Sequence, residues 1–461
     1  MRTGGPQAAF MSWTLVSIIS CLLALSMAEI AAALPTAGGI YFWAYHLGGP
    51  KWGPFISWMT AWWNFAFWVL ATPGTQQGAT NFLISALEIN FPETAYLRQG
   101  WFQLLATLCG LLIALLPNVT SQRLLQLYFR FAIAMFFVLF FVFWIWFPIS
   151  VQGRFQSPEF VFKKFYNGVN QGSSQQASDS YCWMISLLFG AWEFGGYDAA
   201  AHLAEETRHA SKTVARGMWL STVSTTILSI PTVVLILFCI QDFEALISAH
   251  YANNWAQFLV DVVGRRGATA ILVMSWIDCT CSTAACLLSA QRVTFAISRD
   301  NILPGSVWIK KVGGGNSIPV NAAIFVVSIA AAVSCSILGS TVAFSAITAA
   351  TVSCQNMSYL FLLLTRHTLG RSRFKPASWN LGSLSRVIGY ITILWLSLLS
   401  VVLLLPQVFP VTMETLNYSP ICLAFVTFVS VIGWHLPCGW GGRYWFKGPR
   451  RTLSTAQSEE T

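Results

Sequence analysis

Charge is what this sequence has least of: only 9% of its 461 residues are Asp, Glu, Lys or Arg. Soluble domains carry about 25%, so the polar surface needed to solvate a globule of this size is missing. With 55% apolar residues, the solvent has to be a bilayer. Histidine is also scarce. His46, His202, His209, His250, His367 and His435 are scattered, which argues against a membrane-embedded enzyme with clustered ligands. The HExxH, GxSxG, GxxxxGK[ST] and GxGxxG signatures are absent. No nucleotide site means no ATP-driven cycle, so transport would draw on an ion gradient or on the substrate's own. No long polar stretch separates the apolar runs, which excludes an appended soluble catalytic domain. Cysteine is present eleven times, mostly inside apolar runs as a small hydrophobe. Cys279, Cys281 and Cys286 have no neighbouring histidine, so no metal and no cofactor is expected.

A helix needs roughly 20 mostly apolar residues to cross about 30 Å of hydrocarbon. Eleven stretches qualify: 9–32, 54–87, 101–117, 126–149, 181–204, 214–240, 268–292, 318–338, 342–365, 387–409 and 417–436. The fold class is an all-α polytopic membrane protein, with residues 1–436 forming the membrane domain and 437–461 a cytoplasmic tail. The second stretch is too long for a straight helix and contains Ala71-Thr72-Pro73-Gly74, where a tilt or kink is expected.

Basic residues set the orientation. Nineteen Lys and Arg fall in the loops after spans 1, 3, 5, 7 and 9 and in the C-terminal tail, against seven on the opposite side. The richer set marks the cytoplasm. The C-terminus is then inside and, with eleven spans, the N-terminus outside. The net charge of +9 is read as this asymmetry and not as a nucleic-acid footprint. The partners expected are the lipid bilayer and a small-molecule substrate.

The segment 189–207 carries the chemistry. An apolar span runs into Gly195-Gly196, flanked by Glu193 and Asp198. Each mid-span glycine weakens a helix by about 1 kcal/mol against Ala, and a carboxylate at that depth costs roughly 2.5–3.5 kcal/mol on insertion scales. Two readings stand. One is a broken helix lining a polar cavity, where half-helix ends bind the substrate. The other is a glycine-lined helix crossing with its carboxylate facing a polar neighbour. Asp278, in Trp276-Ile-Asp-Cys-Thr-Cys-Ser282, is a lone mid-span acid that reads either as a proton or cation site or as an interhelical hydrogen-bond partner. Glu29 ends the first span and reads as a packing or gating residue. Glu205, Glu206, Arg208, His209, Lys212 and Arg216 read as a solvated cytoplasmic face.

Several motifs resemble the amino acid–polyamine–organocation permeases. Glu29-Ile-Ala-Ala-Ala-Leu-Pro35-Thr-Ala-Gly38-Gly39-Ile-Tyr41 is similar to the signature after their second helix. Gly196-Tyr-Asp198 through Glu205-Glu206-Thr207 resembles their sixth, discontinuous helix. Arg292, Arg299, Asp300 and Pro304 fall in the pattern that ends their eighth. Thr415-Leu-Asn417-Tyr418-Ser-Pro420 and Trp445-Phe-Lys-Gly-Pro449 look like the fungal amino acid, GABA and choline branch. The resemblance implies a five-plus-five inverted-repeat fold and a secondary transporter of amino acids, GABA or a related amine such as choline. Plasma membrane is the expected location, with the vacuolar membrane as the alternative. Trp192, Glu193, Phe194, Gly195, Gly196, Tyr197 and Asp198 would form the sixth-helix part of the substrate site, with Trp192 as a lid. Asp198 and Asp278 are the candidates for proton or cation coupling.

Two departures accompany the resemblance. The family has twelve helices, and its Gly-Gly-Pro motif follows the first. Here Gly4-Gly5-Pro6 stands near the start, so the chain as written is expected to lack that helix and to transport weakly or not at all. A non-transporting, permease-like protein is the rival expectation. Glu193 stands where the family usually carries an uncharged residue, which would favour cationic substrates.

Overall fold

The computed structural model describes residues 3–36, 38–171, 175–312, 318–339, 341–413 and 415–449. The last twelve residues of the expected cytoplasmic tail, 450–461, lie outside the described residues. The principal helices are α1 (Gly5–Ala33), α2 (Gly39–Asn90), α3 (Gly100–Val119), α4 (Gln122–Ser150), α5 (Asp179–Ser186), α6 (Leu188–Ala191), α7 (Ala199–His202), α8 (Ala210–Cys239), α9 (Trp255–Arg299), α10 (Val320–Ser334), α11 (Thr341–His367), α12 (Leu384–Leu404) and α13 (Ser419–His435). Among the described residues the only β-pairing is two isolated bridges, Thr3 with Asn167 and Asn170 with Phe409.

Ten of the eleven apolar stretches lie mostly on helix, and the stretch 181–204 is interrupted at residues 192–198. Seven helices are long and apolar enough to cross a bilayer by length and composition. They include α4 and α8, whose apolar windows are largely unburied within the protein. Large apolar side chains stand out from several helices, among them Leu112, Ile145, Ile149, Ile227, Leu394 and Phe425. An apolar rim of this extent in water would be an aggregation surface. Against acyl chains it is the expected outer face, since the helical backbone satisfies its own hydrogen bonds.

The inner helices are α2, α9 and α11. Trp58, Trp63 and Trp68 of α2 form one buried cluster with Leu287, Ala290 and Val293 of α9. Met27 and Ile30 of α1 pack with Met218 of α8 and with Tyr359 and Leu362 of α11 in a second. Trp58, Trp63 and Trp68 keep their ring N–H groups satisfied across helices. Trp63 Nε1 donates to Thr427 Oγ1 at 3.0 Å and Trp58 Nε1 to the Ser430 carbonyl at 2.9 Å. Each such bond removes an orphan donor from a medium with no water to take its place.

Within α2 the departure from helical dihedrals lies at Gly49 (φ 69°, ψ −172°), ahead of the long second stretch, and residues 71–74 keep helical dihedrals. Pro73 is carried inside α2, with Thr72 Oγ1 bonded to the Trp68 carbonyl at 3.1 Å. Helical dihedrals persist there because Pro removes one donor and packing on both sides supplies the rest. Gly49 instead turns the chain from the short entry helix into the span, a positive φ that glycine adopts without steric cost.

Candidate functional site

The span that begins at Asp179 does not run through. It stops at Ala191, residues 192–198 are non-helical, and a short turn of helix resumes at Ala199–His202. Gly196 sits at φ +78°. The break is local in cause, because two glycines side by side make the helical and non-helical states close in energy. Packing then decides. A Cβ on Gly196 would stand 3.1 Å from the Trp68 ring, and one on Gly195 2.7 Å from Gln355 Oε1. Of the two readings of the glycine pair, the broken helix is the one found.

Beside the break lies a cavity of about 410 Å³, within the usual range for small-molecule sites. Trp192, Glu193, Gly195 and Gly196 form one wall. Phe67, Trp68 and Thr75 of α2 face them. Ser282, Cys286 and Ser289 of α9 and Thr351 and Gln355 of α11 complete the lining. Glu193 is the only ionisable acid among these residues, and its side chain is exposed. The sequence singled out Trp192 to Gly196 but gave no sign of the walls from α2, α9 and α11. Asn64, Gln76 and Gln77, polar residues inside an otherwise apolar span, were the available hint that α2 borders something polar.

Asp198 does not line the cavity. It is fully buried one turn behind it and is engaged three times. Tyr359 donates its hydroxyl to Oδ1. Trp68 Nε1 donates to Oδ2 at 3.2 Å, and His202 Nε2 lies 3.1 Å from the same oxygen. Gln355, which lines the cavity, donates its Nε2 to the Tyr359 hydroxyl at 2.9 Å. Tyr197 stacks on Tyr359 with ring centroids 5.4 Å apart. Asn64 Nδ2 stands 3.5 Å from His202 Nε2. The cavity wall is therefore joined to the buried acid–imidazole pair twice, directly by Trp68 and through Gln355 and Tyr359. Phe194 turns away from the cavity and packs on Trp13, ring centroids 5.5 Å apart. Asp278 is half-buried on α9, one turn from Ser282, and off the cavity wall.

The remaining motif residues gather at the end of the protein that carries most of the basic residues. Gly39, at φ +52°, leaves room for His202, since a Cβ there would come within 2.9 Å of its ring. Tyr41 donates to Asp300 Oδ2 at 3.0 Å with both side chains buried. Arg299 pairs with Glu205 at 3.7 Å. Arg292 is buried in the same region. Pro35 and Gly38 place the start of α2, and Pro304 follows the end of α9 in the turn beyond Asp300. Glu29 accepts from the Leu381 backbone N–H at 3.2 Å and from Ser385 Oγ at 2.5 Å, tying α1 to the loop before α12. The Glu206 side chain lies outside the described residues. Between the cavity and this end stand Asp198, His202, Tyr41 and Asp300, all buried, so that route is packed shut. Tyr41→Phe removes one donor from a buried carboxylate. It is expected to lower stability by about 1–3 kcal/mol, read as a fall in the thermal unfolding midpoint of the detergent-purified protein.

Comparison with known proteins finds permeases and transporters along nearly the whole chain. The thiamine transporter thi9 of Schizosaccharomyces pombe is 28% identical over 93% of this chain and 77% of its own length. The amino-acid permease BAT1 of Arabidopsis thaliana is 28% identical over 97% of this chain and 87% of its own. Its Oryza sativa homologue is 29% identical over 98% and 87%. The family model described as amino acid permease matches residues 1–428. The chain belongs to the amino acid permease family and is a polytopic, integral membrane transport protein.

Proposed function

We propose that the chain is a secondary permease for an amino acid or a related amine, such as GABA, choline or thiamine, carried by alternating access at the cavity beside the 192–198 break. The observation that carries the proposal is Glu193, a carboxylate set in a cavity whose other walls include Phe67, Trp68 and Trp192. The candidate substrates share a positively charged nitrogen. A carboxylate pairs with it, and aromatic faces attract it by about 0.5–2 kcal/mol each. Ser282, Ser289, Thr351 and Gln355 supply the neutral donors and acceptors that would orient the rest of the molecule.

The excess of basic residues at the opposite end supports an orientation in which the cavity faces outward and the packed end faces the cytoplasm. In that orientation the geometry is that of an outward-facing carrier, closed on the inside by the layer from Asp198 to Asp300. Proton coupling would run through Asp198 and His202, a buried pair 3.1 Å apart. Asp278, off the wall, is the weaker candidate. Plasma membrane is the proposed location.

The test is uptake of labelled lysine, GABA, choline and thiamine by permease-deficient cells expressing the chain. At least one should accumulate. Glu193→Gln should lower its uptake affinity roughly 10- to 100-fold, the loss of one charge-assisted interaction. Equal uptake by Glu193→Gln, or accumulation no greater than in cells without the protein, contradicts the reading.

A further inference from the structure

A second cavity, of about 240 Å³, opens at the basic end between α1, α11 and α12. Arg366, Arg371 and Arg386 converge on it. Its one acidic side chain is Glu29, already engaged by Leu381 N–H and Ser385 Oγ. Among the described residues, none of the three arginines has a carboxylate within salt-bridge distance.

Arg366 is the most constrained of the three. Its guanidinium lies 3.6 Å above the centre of the Phe374 ring, which fixes its plane and leaves the N–H edge to find a partner. Its Nε is buried and lacks one. A buried, unpartnered donor on a cation is costly, and an anion seated in the pocket would satisfy it. Arg371 and Arg386 are exposed and close the opposite side. Three positive charges against one negative leave a net charge of two, which matches a dianion. Planar guanidinium forks suit the oxygens of a phosphate group. Basic pockets between transmembrane helices on the cytoplasmic side are the usual seat of anionic headgroups.

We propose that this pocket binds a phosphate monoester, supplied either by a lipid headgroup or by a soluble phosphate. The pocket adjoins the end of α11, whose Thr351, Gln355 and Tyr359 border the substrate cavity and the buried acid pair. The bound anion would brace that helix against α1. This inference does not depend on which amine the chain carries.

The experiment follows the thermal unfolding midpoint of the detergent-purified full chain in mixed micelles. The additions are phosphatidic acid, phosphatidylserine at matched charge, inorganic phosphate and glycerophosphate. Phosphatidic acid should raise the midpoint where phosphatidylserine, a phosphodiester, does not. A rise with the two soluble phosphates as well identifies a free ligand, and a rise with phosphatidic acid alone identifies a lipid. Arg371→Gln and Arg386→Gln, both at exposed positions where folding is not at stake, should each weaken the response at least tenfold in concentration. Lys311→Gln, an exposed cation away from the pocket, should leave it unchanged. Equal response to phosphatidylserine, an equal loss in Lys311→Gln, or no response to any phosphate overturns the proposal.

Discussion

Asp198→Ala should abolish uptake and destabilise the protein by about 3–5 kcal/mol, the cost of leaving several buried groups without their acceptor. The physical origin is the set of groups left behind. Trp68 Nε1, the Tyr359 hydroxyl and His202 all point at this carboxylate, and each orphaned donor costs about 1–3 kcal/mol in a dry interior. Asp198→Asn separates structure from coupling. It keeps an acceptor oxygen and similar volume, so the unfolding midpoint should fall far less, but it cannot take up a proton. If Asp198 and His202 carry the coupling proton, uptake by Asp198→Asn should lose its dependence on external pH. Purification yield and the unfolding midpoint read the first effect, and uptake measured across external pH reads the second. Full uptake with unchanged pH dependence in Asp198→Asn would remove the acid from the coupling role.

Gly196→Ala is the second large effect. Gly196 holds φ +78°, a region that costs an L-residue roughly 1–2 kcal/mol, and the new methyl would sit 3.1 Å from the Trp68 ring. Trp68 is 4% exposed and bonded to Asp198, so it has little freedom to give way. The cheapest response is for the break to reshape, which moves Glu193 and the cavity wall with it. Uptake should fall at least tenfold while the membrane bundle, which does not depend on the break, still assembles. Gly195→Ala is the control. Its obstacle is the Gln355 side-chain amide, the end of a flexible side chain, so a smaller loss is expected. Parallel uptake and unfolding measurements on the two variants check the ordering. Equal effects would show that space, and not the left-handed backbone, is what Gly196 supplies.

The break was legible in the sequence because it violates the rules of its surroundings. Two adjacent glycines and two carboxylates inside an apolar span read either as a polar hollow or as a glycine-lined helix crossing, and the structure selects the first. Which way each side chain leans was not legible. Glu193 and Asp198 look equivalent as letters, yet one enters the cavity and the other is sealed behind it. That difference is set by Trp68 and Tyr359, residues far away in the chain. The walls from α2, α9 and α11 were equally silent, since a tryptophan or serine in a span carries no mark of which face it occupies. Pro73, the expected site of a tilt or kink, keeps helical dihedrals, and the non-helical residue of α2 is Gly49, ahead of that stretch. The family motifs picked out Gly39, Tyr41 and Asp300 but not their joint effect. Gly39 makes room for His202, and Tyr41 pairs with Asp300, so the signature after α1 and the end of α9 are parts of one closed layer beneath the site.

The central claim is that the hollow beside residues 192–198 is wet, reachable and occupied by substrate. Ser282 lies on its far wall and is exposed, so Ser282→Cys can report on it. Intact cells expressing that variant would be treated with a charged, membrane-impermeant thiol reagent, and modification of residue 282 followed by peptide mass spectrometry. Rapid modification, slowed by the amine that the protein transports and not by an unrelated solute, is the predicted result. A residue 282 thiol that stays unmodified, or that reacts at the same rate with saturating substrate present, would contradict it.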